Sequence, residues 1–277
     1  MAMITLQSIL LLGCGNMGGA MLKGWLAAGL DASRFTIVDP ALPAAPDGVR
    51  LLRTLPDERF DAILLGVKPQ MLGDVAGAVE PYAGPDTVLL SILAGVELDS
   101  LWRLFPRARI IVRVMPNLAA ALGKSPIALA SQGLPEGDLR QTVTDLVAPL
   151  GQVEWLDEKL FDLVTALAGS GPAFVYRFID ALASGAKALG MSGDQAERLA
   201  LSMVEGAAVL AAQSGESPGD LARRVASPGG TTEAGLQTLD AGGALACLME
   251  ATLRAARDRG TQLALNARVD GPAGNNV

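Results

Sequence analysis

The sequence predicts a doubly wound, mostly parallel α/β sheet in residues 1–158, followed by an all-α domain in residues 159–277. Short continuous apolar runs alternate with helical patterns as far as Asp157, which is how strands covered on both faces by crossover helices read in sequence. Beyond that point the strand pattern disappears. A third observation marks the edge around which the first half is organised: Gly13, Gly15 and Gly18 follow the first apolar run at the G-x-G-x-x-G spacing of a strand that turns into a helix.

Residues 9–12 are the first strand, and Gly13, Cys14, Gly15, Asn16, Met17 and Gly18 form the turn after it. Gly13 permits the tight turn, Gly15 leaves room for phosphates, and Gly18 lets the next helix, marked by Met21, Leu22, Trp25 and Leu26, pack on the strand. That helix offers free N–H groups and the positive end of its dipole to an anion, so the first half reads as a Rossmann-like dinucleotide-binding domain. Residues 35–39 are a second strand. It closes on Asp39, about 20 residues beyond the loop, where a carboxylate accepts from ribose hydroxyls and repels the 2′-phosphate of NADP. Asp39 is also placed to open a turn before the irregular segment holding Pro40, Pro43 and Pro46.

Residues 61–67 are a third strand, ending in Val67 and Lys68, with Pro69 as the first residue of a helix. Residues 87–93 lead to Ala94 and Gly95, and residues 109–114 to Met115, Pro116 and Asn117, so several carboxyl ends converge on one crevice. Residues 125–131 and 152–156 read as further strands, separated by a helix that starts at Pro135 and Glu136 and runs to about Pro149.

In the second half, residues 173–189 carry Arg177, Asp180, Ser184 and Lys187 on one narrow stripe and are otherwise mostly apolar. Residues 194–213 are similar, opened by Ser192 with Gln195 in a capping-box arrangement. So much apolar helix face exceeds what these helices can bury among themselves, which implies a homo-oligomer packed through the C-terminal helices. Ser217 and Pro218 start a short helix, and a long one runs from about Ala244 to Leu265 with Glu250 and Arg254 at salt-bridge spacing. The tail, residues 267–277, has a disorder-prone composition. Two turns remain, Ala168-Gly169-Ser170-Gly171-Pro172 and Ser227-Pro228-Gly229-Gly230-Thr231-Thr232. Each puts N–H groups and hydroxyls at a helix start, a way to hold a small carboxylate, and each also serves as an ordinary connection between helices.

Composition excludes several classes of function. Among 277 residues there is no histidine, which removes a histidine base, a Ser-His-Asp triad and any histidine metal site; no metal is expected. The net charge of −7, without a basic block, argues against a nucleic-acid partner. Two cysteines, Cys14 and Cys247, suit a reducing compartment. No apolar stretch reaches membrane-spanning length, and the apolar start has no basic residue before Lys23, so a cytoplasmic protein without a membrane partner is expected.

The chain resembles the pyrroline-5-carboxylate reductases. The likeness runs from residue 9 to about residue 260 on five motifs in order: the glycine loop at 13–18, Val67-Lys68-Pro69-Gln70, Met115-Pro116-Asn117, the run at 166–173, and the run at 227–232. It implies that NADPH or NADH delivers a hydride to the imine carbon of 1-pyrroline-5-carboxylate, yielding L-proline in the final step of its biosynthesis. It implies a cofactor lying on Gly13, Gly15, Asn16, Met17, Gly18, Val67, Lys68, Pro69, Ala94, Gly95 and Asn117, with Asp39 bearing on which cofactor. It further implies a substrate carboxylate on the amides around Gly229, Gly230 and Thr231 beside Ser170, with the catalytic Thr232 at the ring nitrogen, in a homodimer that assembles further into decamers. Two residues depart from the family pattern: Phe174 stands where a tyrosine is common, and Asp39 is unusual for an NADPH-preferring member. A reductase of another cyclic imine carboxylate and a non-catalytic dinucleotide sensor are the alternatives. A 3-hydroxyacid dehydrogenase is disfavoured, since no lysine has an asparagine three or four residues later.

Overall fold

In the computed structural model, which describes residues 6–134 and 137–269, the glycine loop is fed by β1 (Ile9–Leu12), buried on every residue. Its side chains alternate between two cores. Ile9 and Leu11 pack under α1 (Asn16–Ala27) with Met21, Leu22 and Trp25, while Leu10 and Leu12 enter the core on the opposite face. The sheet is thus buried on both sides, as its continuous apolar runs require.

β1 pairs in parallel with β2 (Phe35–Val38), which pairs outward with β3 (Arg50–Leu52). On its other side lie β4 (Ala62–Leu65), followed by α2 (Leu72–Val79), then β5 (Val88–Ser91), followed by α3 (Leu98–Leu104), and β6 (Ile110–Met115). β7 (Ser125–Ser131) runs antiparallel to β6; after α4 (Asp138–Val147), β8 (Gly151–Trp155) pairs parallel to β7. The order β3-β2-β1-β4-β5-β6-β7-β8 puts the topological switch beside β1. Leu12 is level with both Val38 and Leu65, so the chain leaves all three central strands at one height.

β2, β4 and β5 are shorter than the expected runs 35–39, 61–67 and 87–93, whereas β7 has the expected bounds and β6 and β8 are each displaced by one residue. Leu93, expected within the fourth strand, is buried after β5 has ended, because an apolar run reports burial and not pairing. β3 went unpredicted: three half-exposed or exposed residues on the sheet edge leave no hydrophobic period to read. The expected helix start at Pro135 and Glu136 and the tail beyond Val269 lie outside the described residues.

Although aromatics make up only 4% of the chain, Trp25, Phe35, Phe60, Phe105 and Phe161 are buried. Trp25 stacks on Phe35 with ring centroids 5.3 Å apart, and its indole N–H donates to the Leu146 carbonyl at 2.7 Å. The buried Arg113 of β6 lies over Phe161 and pairs with Glu158 at 2.8 Å; Phe161 opens the short helix α5 (Phe161–Val164).

By its internal contacts the chain forms two compact units, one of Met1–Gly169 with Ala256–Val277 and the other of Ser170–Ala255. The second holds α6 (Gly171–Ala188), α7 (Gly193–Ser214), α8 (Pro218–Val225), α9 (Thr231–Asp240) and the first part of α10 (Ala244–Val269). Its core is small, centred on Ala183, Ala196 and Ala200. As the excess of apolar face implies, α6 and α7 expose Tyr176, Phe178, Leu199, Leu201, Met203 and Leu210 in the single chain. At the start of α7 the Ser192 hydroxyl donates to the Gln195 side-chain oxygen at 2.8 Å and caps no backbone amide, so the two residues pair through their side chains and the expected capping box is not formed. The Glu250–Arg254 ion pair is present. Among the described residues no helix is long and apolar enough to cross a membrane.

Gly24 lets α1 approach the 3₁₀ turn Leu118–Leu122: a β-carbon there would run into the Ala120 carbonyl and come within 2.7 Å of Leu150. Gly24→Ala should therefore destabilise the protein by about 3 kcal/mol and lower its Tm by roughly 6–12 °C in a thermal unfolding scan.

Candidate functional site

The glycine loop owes its shape to close backbone packing. Gly13 has φ +83°, and a β-carbon on it would lie 3.0 Å from the backbone of Gly66 and Val67. One on Gly66 would lie 2.7 Å from the Gly13 carbonyl, so two glycines bring the ends of β1 and β4 together. At Gly18 a β-carbon would sit 3.2 Å from the same carbonyl, which lets α1 start tight against the strand. Gly15 is the opposite case, with nothing within 4 Å of its missing side chain. It is also the N-cap of α1, where no side chain supplies a cap and no acidic residue occupies the first turn. Asn16 is exposed and Met17 half-buried there. The orphan N–H groups of that turn and the open space above Gly15 form a fitting cradle for a pyrophosphate.

Asp39 braces this loop. One carboxylate oxygen accepts from the Cys14 N–H at 2.9 Å; the other accepts from Ala41 at 2.8 Å and Leu42 at 3.1 Å. The turn before the proline-rich segment is therefore real, and the same side chain ties that turn to the glycine loop. Burial pulls the Asp39 carboxyl upward, but the three backbone donors and the nearby Arg53 charge outweigh it and hold it below the ordinary carboxylate value. Arg53 gave no signal in sequence. It follows the short edge strand and donates to the carbonyls of Asp39 at 2.8 Å and Leu42 at 2.6 Å. Cys14 is driven the other way: burial, then the Asp39 charge, pushes its thiol up to about 11.

The neighbouring strand ends complete this edge. Val67 is half-buried and Lys68 exposed, and Lys68 caps the 3₁₀ turn Pro69–Met71, which places Pro69 at the first helical position as expected. Ala94 is exposed; Gly95, at φ +73°, is packed under α10, with Leu263 and Ala264 3.3 Å from where its β-carbon would be. Asn117 is buried, its side chain engaged with the backbone of Ala119 and Ala168 at 2.9 Å each.

In the second unit, Ser170 stands at the N-cap of α6 and makes no side-chain cap. α9 begins at Thr231 behind Gly230, also without a side-chain cap. The amides expected to bind an anion are not all free. Gly230 N–H donates to the Ser227 carbonyl at 2.9 Å, and Gly229 N–H to the Glu233 carboxylate at 2.7 Å. The Thr231 and Thr232 amides, in the first turn, are those an uncapped helix leaves without partners, and both residues are exposed. Glu233, read from sequence as complementing the helix dipole, also reaches back to lock the positive-φ turn at Gly229. Among the described residues, groups of three or more metal-binding side chains are absent.

With its thiol near 11, Cys14 is thiolate in only roughly one molecule in a thousand at pH 8. It should remain unmodified by iodoacetamide in the native protein and be alkylated only after unfolding, as read by peptide mass spectrometry.

Residues 158–263 match the family profile described as pyrroline-5-carboxylate reductase dimerisation, and residues 8–95 match one described as NADP oxidoreductase, coenzyme F420-dependent. The chain is 36% identical over 253 residues to the pyrroline-5-carboxylate reductase of Pisum sativum, covering 89% of this chain and 92% of that one. It is 34% identical over 264 residues to that of Pseudomonas aeruginosa, covering 92% and 96%. Among solved structures it is similar to a pyrroline-5-carboxylate reductase from Coxiella burnetii (TM-score 0.85, 28% identity, 94% and 99% covered). A second similar structure is the Plasmodium falciparum pyrroline carboxylate reductase with NADP bound (TM-score 0.80, 25% identity, 93% and 98% covered).

Proposed function

The chain belongs to the pyrroline-5-carboxylate reductase family, and on that premise we propose that it reduces 1-pyrroline-5-carboxylate to L-proline with a nicotinamide dinucleotide, the final step of proline biosynthesis. The observation that carries this reading is identity above 30% running through both the glycine loop and the helical unit, across 264 residues in one relative. The dinucleotide, when bound, supplies the hydride. The residues of the chain hold and orient. The α1 amides and the space at Gly15 take the pyrophosphate, with Val67, Lys68, Pro69, Ala94 and Gly95 flanking it at the strand ends. The Thr231 and Thr232 amides take the substrate carboxylate, beside Ser170. The Thr232 hydroxyl, able to accept as well as donate, accepts from the protonated ring nitrogen and stays bonded to the amine that results. A protonated imine is already a good hydride acceptor, so a chain without histidine needs no strong general acid.

The exposed apolar residues of α6 and α7 support self-association through the C-terminal helices, as a dimer that assembles further. A cytoplasmic site of action fits a chain whose two cysteines are both free thiols.

The test is loss of reduced-nicotinamide absorbance when purified protein meets 1-pyrroline-5-carboxylate with NADH or NADPH in separate cuvettes. Substrate-dependent oxidation is expected, faster with NADH, because the Asp39 carboxylate is held ionised where a 2′-phosphate would come. Asp39→Ser, which keeps an acceptor and removes the charge, should move the NADH/NADPH preference about tenfold toward NADPH. Thr232→Ala should lower kcat/KM by about tenfold or more while leaving the dissociation constant of the coenzyme within about twofold. Equal losses in both quantities would remove Thr232 from its role.

A further inference from the structure

Pro172 stands at the second position of α6, where an α-helical bond back to the Ala168 carbonyl would need its N–H. Proline has none. The preceding residues, Thr165–Gly169, form a π-helical turn, in whose register the donor would be Ala173. That N–H donates instead to the Ser170 carbonyl at 3.0 Å. The Ala168 carbonyl is left to a side chain, and Asn117 Nδ2 donates to it at 2.9 Å.

Asn117 is built for this contact. It is 5% exposed. Its own N–H donates to Ser125 Oγ at 2.8 Å, and its carbonyl accepts from the Ala120 N–H at 3.0 Å. Its Oδ1 accepts from the Ala119 N–H at 2.9 Å, so the amide has one orientation: a flip would set NH₂ against N–H and oxygen against carbonyl. Two residues earlier, at the last position of β6, Met115 Sδ lies 3.4 Å from where a Gly169 β-carbon would be, so the end of β6 is also the seat of Gly169.

We propose that Asn117 is a positioning residue for the reduction: it supplies the donor that Pro172 withholds, and so fixes the last turn before Ser170. Its amide reports on the substrate side through the chain and not through contact with the dinucleotide. The inference rests on the reading of Ser170 as a substrate-binding residue.

The experiment is a double-mutant cycle of Asn117→Ser and Pro172→Ala in the full-length protein. Serine still caps Ala119 but is too short to reach Ala168, while alanine at 172 returns the helical N–H. Amide hydrogen exchange over residues 165–171 and steady-state kinetics are measured on all four proteins. Asn117→Ser alone should speed exchange about tenfold and raise KM for 1-pyrroline-5-carboxylate about tenfold, with kcat and the coenzyme dissociation constant within about twofold. In the Pro172→Ala background the same substitution should change each quantity by less than about twofold. An equal effect in both backgrounds, unmoved exchange, or a loss confined to coenzyme affinity would overturn the proposal. Should Asn117→Ser alone fail to fold, recovery of folding in the double variant counts for it and failure to recover counts against it. If the unaltered protein leaves the imine unreduced, the functional reading falls, and the exchange arm by itself still decides whether Asn117 replaces the missing donor.

Discussion

The approach of two glycine backbones, Gly13 after β1 and Gly66 after β4, is the constraint on which the nucleotide-facing edge depends. Separations of 2.7–3.0 Å between each carbonyl region and the other's missing side chain leave no room for a β-carbon on either residue. Because Leu12, Val38 and Leu65 are level, that contact sets the height at which the glycine loop, Asp39 and Val67 emerge. From there α1 can start with its amides uncapped over open space. Such an uncapped helix start offers an anion partial positive charge from the backbone alone, independent of the chain's net charge of −7.

The edge is held by polar groups acting on backbone. Asp39 joins the glycine loop to the next turn, and Arg53 joins that turn to the edge strand. A carboxylate with three N–H donors is held in one place, and here it holds two turns of the backbone together. Glu233 does similar work in the helical unit, where it pins Gly229 while the Gly230 amide is taken by the Ser227 carbonyl.

The helical unit makes less sense as a single chain than the sheet does. Its core rests on three alanines, while Tyr176, Phe178, Leu199, Leu201 and Met203 are exposed. Small residues inside and large ones outside invert the usual arrangement of a monomeric bundle. The unit falls in the stretch that matches a dimerisation profile, and self-association is the physical remedy for such an inversion.

The sheet and the glycine loop were legible in sequence because both rest on local requirements. Strands buried on two faces must be apolar throughout, and the loop needs residues without side chains at three fixed positions. The helical half was legible as helices and as an excess of apolar face for the same reason. What local pattern could not carry was pairing between distant groups. β3 has too few buried residues to show a period, Gly24 is required only because the Ala120 carbonyl arrives from nearly a hundred residues away, and Arg53 finds its acceptors in a turn it does not adjoin. Asp39 and Asn117 were singled out from sequence as residues at strand ends near a cofactor; only the fold revealed which backbone groups each one holds. Residue type and spacing determine what a segment can form by itself, and tertiary structure decides which polar atoms are left free, because that depends on which partners have already been taken.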